Sequence, residues 1–184
     1  MSIFLSAGHH FAPAKPDPGA IGNNYKENEL TRELRGLIAN ELNYLGAVVI
    51  LDKDTETLGE YIGRIKPGGG SVVCELHFNA SGNVSATGTE CIFKAGADLN
   101  SRQLAGAISG AVARVCGIVD RGAKDETTSH RGRLGILHTA AGISCLPEIC
   151  FISNKEDMAR YQANKKELAK EIAKILLEYD AKKV

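Results

Sequence analysis

The sequence carries no surplus of charge in either direction: 22 basic and 22 acidic side chains give a formal net charge of +0. With no spare cations to neutralise phosphates, nucleic-acid binding has no electrostatic basis, and a polybasic membrane anchor is excluded on the same ground. Long apolar runs are missing too. No stretch approaches the ~20 residues that cross a bilayer, so no stable membrane association is expected. The opening residues, MSIFLSAGHH, lack a basic n-region and hold an apolar run far shorter than a signal peptide's core. Synthesis in the cytoplasm is therefore the expectation, with any export depending on another component. There is no CxxC pair either. Cys74, Cys91, Cys116, Cys145 and Cys150 are scattered, mostly through apolar segments, which argues against a thiolate metal site and for small buried residues carrying free thiols. Internal repeats and low-complexity tracts are absent, and residues 1–184 read as one domain.

What is present is a regular alternation of short apolar runs and amphipathic stretches. Ile3 to Ala7 predicts a first strand ended by Gly8, and a Pro/Gly-rich loop runs from Phe11 to Asn23. Leu30, Leu34, Leu37, Ile38, Leu42 and Leu45 recur at helical spacing, with Gly46 closing the helix. Val48 to Leu51, Ser71 to Phe78 and Thr89 to Phe93 predict strands, the middle one buried on both faces. Between the first two of these, Leu58, Ile62 and Ile65 suggest a short helix stopped by Pro67 and three glycines. A helix through Leu104, Ile108, Ala111, Val112 and Val115 precedes a polar loop from Asp120 to Arg133. Strands at Leu134 to His138 and Cys145 to Phe151, then a helix through Leu168, Ile172, Ile175, Leu176 and Tyr179, complete the pattern. Strands interleaved with helices predict an α/β fold of three layers, its twisted, mixed but mostly parallel sheet flanked by helices on both faces. Working sites in such folds lie at the carboxyl ends of the strands.

Four chemically competent side chains fall at such places. His9 follows the first strand, Glu27 opens the first long helix, His77 is near the end of the third strand, and Glu148 sits late in the run Leu146-Pro147-Glu148-Ile149-Cys150. Two imidazoles and a carboxylate hold Zn²⁺ with one position open, and a further carboxylate can move protons. Each residue also has a plainer role. Asn24 and Glu27 stand at capping-box spacing, Glu29 is an alternative helix carboxylate, His77 fits a core histidine, and His9 fits a loop support. Glu148 is harder to explain that way, because a carboxylate in an apolar run needs a partner. Glu75 shares a strand face with His77 and Asn79, and its carboxylate is placed to fix the orientation of a metal-bound His77; a rim glutamate is the competing reading.

These residues sit in motifs that resemble a known family. Ser6-Ala7-Gly8-His9, Asp17-Pro18-Gly19-Ala20-Ile21-Gly22 and Lys26-Glu27 look like the opening of the zinc-dependent N-acetylmuramoyl-L-alanine amidases of the amidase-3 family. Leu76-His77-Phe78-Asn79-Ala80 is similar to its second histidine motif, and Gly88-Thr89-Glu90 to the strand after it. Pro147-Glu148, Phe151-Ile152-Ser153-Asn154 and Glu156-Asp157 resemble its closing motif, all in family order. The resemblance implies one Zn²⁺ per chain on His9, Glu27 and His77, with Glu148 as the catalytic glutamate. It implies peptidoglycan as partner and, as reaction, hydrolysis of the amide between the lactyl group of N-acetylmuramic acid and L-alanine. Asn79, Glu90 and Arg131 are candidate substrate contacts, as are the other cations between Arg121 and Arg133.

Two features depart from the family pattern. His10 stands where a glycine is usual, making it the backup ligand to His9, and the spacer to Asp17 is long and carries Pro13 and Pro16. The missing signal and the lack of a wall-binding module suggest a phage or prophage endolysin that reaches the wall through a separate pore, a monomer by default. A zinc peptidase of metallocarboxypeptidase type and a metal-free peptidoglycan-binding module are the competing readings.

Overall fold

The computed structural model describes residues 2–12, 16–65, 72–139 and 142–181. In chain order the elements are β1 (Ser2–Ala7), β2 (Ile21–Gly22), β3 (Tyr25–Lys26), α1 (Glu27–Tyr44), β4 (Val48–Leu51), α2 (Leu58–Arg64), β5 (Val72–Asn79), β6 (Thr89–Phe93), α3 (Leu99–Cys116), β7 (Asp120–Asp125), β8 (Ile143–Phe151) and α4 (Lys155–Ala181). Six strands form one sheet in the order β4-β1-β5-β8-β6-β7, while β2 and β3 pair separately. β4, β1, β5 and β8 run parallel; β6 is antiparallel to β8, and β7 follows β6. The α/β expectation holds, with the sheet mixed as anticipated.

Alternation along the strands makes the two faces of the sheet unequal. Ile3 and Leu5, Cys74 and Leu76, Cys91 and Cys145 point into a core covered by three long helices, α1, α3 and α4. Phe4, Val73, Ile92 and Leu146 point the other way. They pack against Tyr61 and Ile65 at α2 and against Ile136 and Leu137, a much thinner cover. Counting on by twos along each strand, the thin face continues as Ser6, as Glu75, His77 and Asn79, as Glu90, and as Glu148. The carboxyl ends of β1, β5 and β8 meet at this edge. Because β6 is reversed, it brings its amino end there instead.

All five cysteines are buried and free, as expected. Three local readings are corrected. The polar run Asp120–Asp125 is an edge strand, followed by a 3-10 turn at Glu126–Thr128. Among the described residues it pairs only with β6, so it needs no apolar pattern. Leu134 to His138 is not a strand: Gly135–His138 forms a 3-10 turn laid across the thin face, where Ile136 and Leu137 are buried side by side. Nor is Asn24 a helix cap. α1 begins at Glu27 after Lys26 without a side-chain cap, and Asn24 takes a left-handed turn at φ 65. Pro13, Pro67 and the glycines after it, and Ser71 lie outside the described residues.

Asp157, at the start of α4, fastens the helix to the sheet. Its Oδ1 accepts from Thr87 Oγ1 at 2.5 Å, and its Oδ2 accepts from the backbone N–H groups of Gly88 (3.0 Å) and Phe151 (3.1 Å). The residue is 2% exposed, so removing the carboxylate strands two buried donors. Asp157→Ala is expected to destabilise the fold by about 2–4 kcal/mol, read as a lower urea midpoint with unchanged slope.

Candidate metal centre and catalytic cleft

The chain leaves β1 through Gly8, where the backbone must pass His77: a Cβ on Gly8 would lie 2.4 Å from the imidazole and 2.6 Å from the Leu76 carbonyl oxygen. His9 then turns with φ 68, a left-handed conformation rare outside glycine. Gly19 is equally constrained. Its φ is +66, and a Cβ there would sit 2.5 Å from the His9 ring and 2.6 Å from Glu27 Oε2. Glycine at both places lets two loops close around one point.

That point is the Glu27 carboxylate, 4% exposed. Its Oε2 accepts from Ala20 N–H at 2.8 Å and lies 3.0 Å from His9 Nε2. Its Oε1 accepts from Phe78 N–H at 2.9 Å and lies 3.1 Å from His77 Nδ1. Burial pushes this carboxyl's pKa up, but its bonds with His77 and His9 outweigh that and hold it well below the usual carboxylate range. The outer ring nitrogens face other acids. His77 Nε2 is 3.2 Å from Glu75 Oε1, and Ser6 Oγ donates to Glu75 Oε2 at 3.0 Å. His9 Nδ1 is 2.9 Å from Asp17 Oδ2, at ion-pair distance but without hydrogen-bond alignment. Burial lowers the pKa of His77, yet contact with Glu27 and Glu75 raises it well above the ordinary value.

One donor atom each from His9, Glu27 and His77 can be chosen so that all lie within 4.8 Å of one another. Two imidazoles and a carboxylate at such separations fit Zn²⁺. His10 and Glu29 are not brought to this point. His10 Nδ1 accepts from Ala12 N–H at 3.2 Å, and Glu29 is half exposed and paired with Lys26.

Glu148 is the strand partner of His77 on β8. Its Oε2 is buried without a hydrogen-bond partner among the described residues. Burial lifts its pKa to about 7, which the charges of His77 and His9 oppose and those of Glu27 and Glu90 reinforce. Such a carboxyl can accept and return a proton near neutral pH. It opens on a cavity of about 770 Å³ that also takes in the His9–Glu27–His77 cluster.

Of the candidate substrate contacts, Asn79, Glu90, Arg121, Lys124 and Arg131 line this cavity, whereas Arg133 does not. Asn79 Nδ2 donates to Glu90 Oε1 at 3.1 Å, whereas Arg131 is exposed at the rim. Sequence reasoning missed two acids. Asp17 was visible only as part of a turn, and its approach to His9 depends on the left-handed Gly19. Glu126 is 3% exposed and accepts from Ala95 N–H (3.0 Å), Leu134 N–H (2.7 Å) and His138 Nε2 (2.8 Å). It thereby fixes the segment that walls the cavity, and nothing in its local pattern announced that.

A family model described as Amidase_3, N-acetylmuramoyl-L-alanine amidase, matches residues 3–178. The chain belongs to this family. It is 27% identical over 163 residues to the N-acetylmuramoyl-L-alanine amidase LytC of Bacillus subtilis (strain 168), a match covering 86% of this chain and 31% of LytC. The chain thus spans less than a third of that curated relative. Among solved structures, the catalytic domain of the CD27L endolysin targeting Clostridia difficile superposes with a TM-score of 0.78 at 25% identity, covering 97% of each chain. An N-acetylmuramoyl-L-alanine amidase from Clostridium difficile 630 gives 0.84 at 22% identity, covering 100% of this chain and 98% of that one, and speaks to the fold alone.

A buried carboxyl raised to about 7 has a stability signature. Below the unfolded value of 4.5 it is protonated in both states and costs nothing. As pH climbs through 7 the folded protein must hold an unpaired charge, and stability is lost. Glu148→Gln is therefore expected to stabilise metal-free protein by roughly 1–3 kcal/mol at pH 8. Denaturation at pH 8 and pH 4 should show the gain at the first and its disappearance at the second.

Proposed function

We propose that this chain is a zinc-dependent N-acetylmuramoyl-L-alanine amidase, a single catalytic domain that hydrolyses the amide between the lactyl group of N-acetylmuramic acid and L-alanine in peptidoglycan. The observation that carries the reading is the convergence of His9, Glu27 and His77 on one side of a cavity that also holds Glu148, whose buried Oε2 has no hydrogen-bond partner among the described residues. Family membership and the names of LytC and the CD27L endolysin support peptidoglycan as the substrate and the wall as the place of action.

His9, Glu27 and His77 would hold the metal. Bound there, Zn²⁺ supplies Lewis acidity, polarising the scissile carbonyl and acidifying water. Glu148 Oε2 takes the proton of the attacking water and passes it to the nitrogen of L-alanine as the C–N bond breaks. Glu75 keeps His77 Nδ1 turned toward Glu27 by holding Nε2. Glu27 keeps both imidazoles in register by accepting from the backbone of the two segments that carry its neighbours. Asn79 and Glu90, and Arg131 at the rim, line the path of the substrate.

Digestion of purified peptidoglycan followed by mass spectrometry tests the reaction. Stem peptides with a free L-alanine amino terminus are expected from the native protein. They should vanish with chelator and fall by about 10²–10⁴ in rate for Glu148→Ala. Peptide cleavage with the lactyl amide intact would move the assignment to a zinc peptidase. Zinc competition against a chromogenic chelator tests Glu75 separately: Glu75→Gln should weaken affinity by roughly tenfold or more, and equal affinity would remove its orienting role.

A further inference from the structure

Arg121 and Lys124 stand three residues apart on β7, a spacing that sends side chains to opposite faces of an unbroken strand. Here both turn to the same atom: Arg121 Nε and Lys124 Nζ each donate to Glu90 Oε2 at 2.6 Å. The strand register explains the convergence. Thr89 pairs with Asp120 but Cys91 pairs with Ala123, so two steps along β6 match three along β7. Gly122, at φ 79, falls within the extra step. A bulge of this kind re-aims side chains and is frequent beside working sites, and its left-handed glycine admits other residues only with strain.

The convergence exceeds what Glu90 needs. One cation would neutralise the carboxylate, and Asn79 already holds its other oxygen. Two cations leave the group with one net positive charge. Arg121 remains 36% exposed and Lys124 31% exposed, and both line the cavity that contains Glu148. Arg121 lies over the Phe151 ring, 5.1 Å from its centroid, which limits the directions its guanidinium can take. Glu90 is the strand partner of Glu148, so the cations, rooted on β7, stand two strands beyond Glu148 and reach back to the strand between. The group is a pinned, partly exposed pair of donors with protons to spare, at a fixed offset from the reaction.

We infer that Arg121 and Lys124, held by Glu90, form an anion subsite that takes a free carboxylate on the peptide side of the scissile amide. The inference rests on the amidase reading. A muramyl peptide is uncharged at the sugar and the lactyl link, and its anions lie on the peptide. The carboxylate nearest the cut is the α-carboxylate of an acidic residue following L-alanine. Charge-assisted bonds to such a group are lost when it is converted to a carboxamide. The subsite therefore makes the protein selective for peptidoglycan in which this carboxylate is not amidated.

The test compares kcat/KM of the zinc-loaded full chain on two disaccharide-peptide fragments, identical except that the carboxylate is free in one and amidated in the other. The free acid should be preferred by about ten- to hundredfold. In Arg121→Gln and in Lys124→Gln the ratio should fall toward one, mainly through a higher KM for the free acid. Gly122→Ala, which strains the bulge, should lower the ratio as well. The ratio is the readout, so a variant poorer on both fragments does not imitate the result. Equal rates for native protein, or a preference retained in both cation variants, would overturn the subsite while leaving the amidase reading intact. Cleavage of whole peptidoglycan with neither fragment cut would also overturn it, placing recognition elsewhere. Failure to release the lactyl amide from any substrate would end both readings together.

Discussion

The Glu27 carboxylate ties together three stretches of chain that are distant in sequence. Through Ala20 N–H it fixes the loop after β1, through Phe78 N–H it fixes the end of β5, and its own backbone starts α1. His9 and His77 meet it from either side, each with an outer nitrogen turned toward another acid. Every member of this arrangement leans on the same buried charge. A neutral residue at position 27 would leave two backbone donors and two imidazoles without their common acceptor, in a place water reaches poorly. The glycines on either side belong to the same constraint, since loops carrying a Cβ at Gly8 or Gly19 cannot close on so small a centre.

The unequal faces of the sheet explain why the centre lies where it does. Three helices bury one face completely, and that face holds most of the apolar residues. Among the described residues the other receives only α2 and a 3-10 turn, which cover the end formed by Phe4, Val73, Ile92 and Leu146. The uncovered remainder carries Ser6, Glu75, His77, Asn79, Glu90 and Glu148 on the same alternation. A single change of residue type partway along each strand therefore divides core from working surface. Reversal of β6 extends the surface by one strand and sets Glu90 opposite Glu148.

Most of this framework is legible in the sequence because apolar spacing reports burial directly. β4 and β6 are recovered with their limits and α1 to within a few residues, whereas α4 starts at Lys155, well before Leu168, the first apolar position read for it. The candidate ligand set is legible for a different reason: the motifs resemble a family, whereas spacing alone leaves Glu27 balanced against a capping role. What stays hidden depends on contacts at long range. The edge strand Asp120–Asp125 has no apolar residue larger than alanine and reads as loop, since only its backbone pairing makes it a strand. Leu134, Ile136 and Leu137 announce burial but not conformation. Asp17, Glu126 and Asp157 look like ordinary polar residues until the backbone groups and imidazoles they serve are brought to them by the fold.

The position of α4 has a consequence for how the protein comes into being. The helix packs against both α1 and α3 and is tied at its first turn to the start of β6 and the end of β8. Residues 9, 27 and 77 are synthesised early, yet the sheet that aligns them is incomplete without β8 and uncovered without α4. A nascent chain halted before residue 155 would hold all three prospective ligands with no stable platform beneath them. Assembly on the ribosome is thus closer to a single late event than to gradual accretion. The last of these helices to leave the ribosome is the one that sets His9, Glu27 and His77 on a finished sheet.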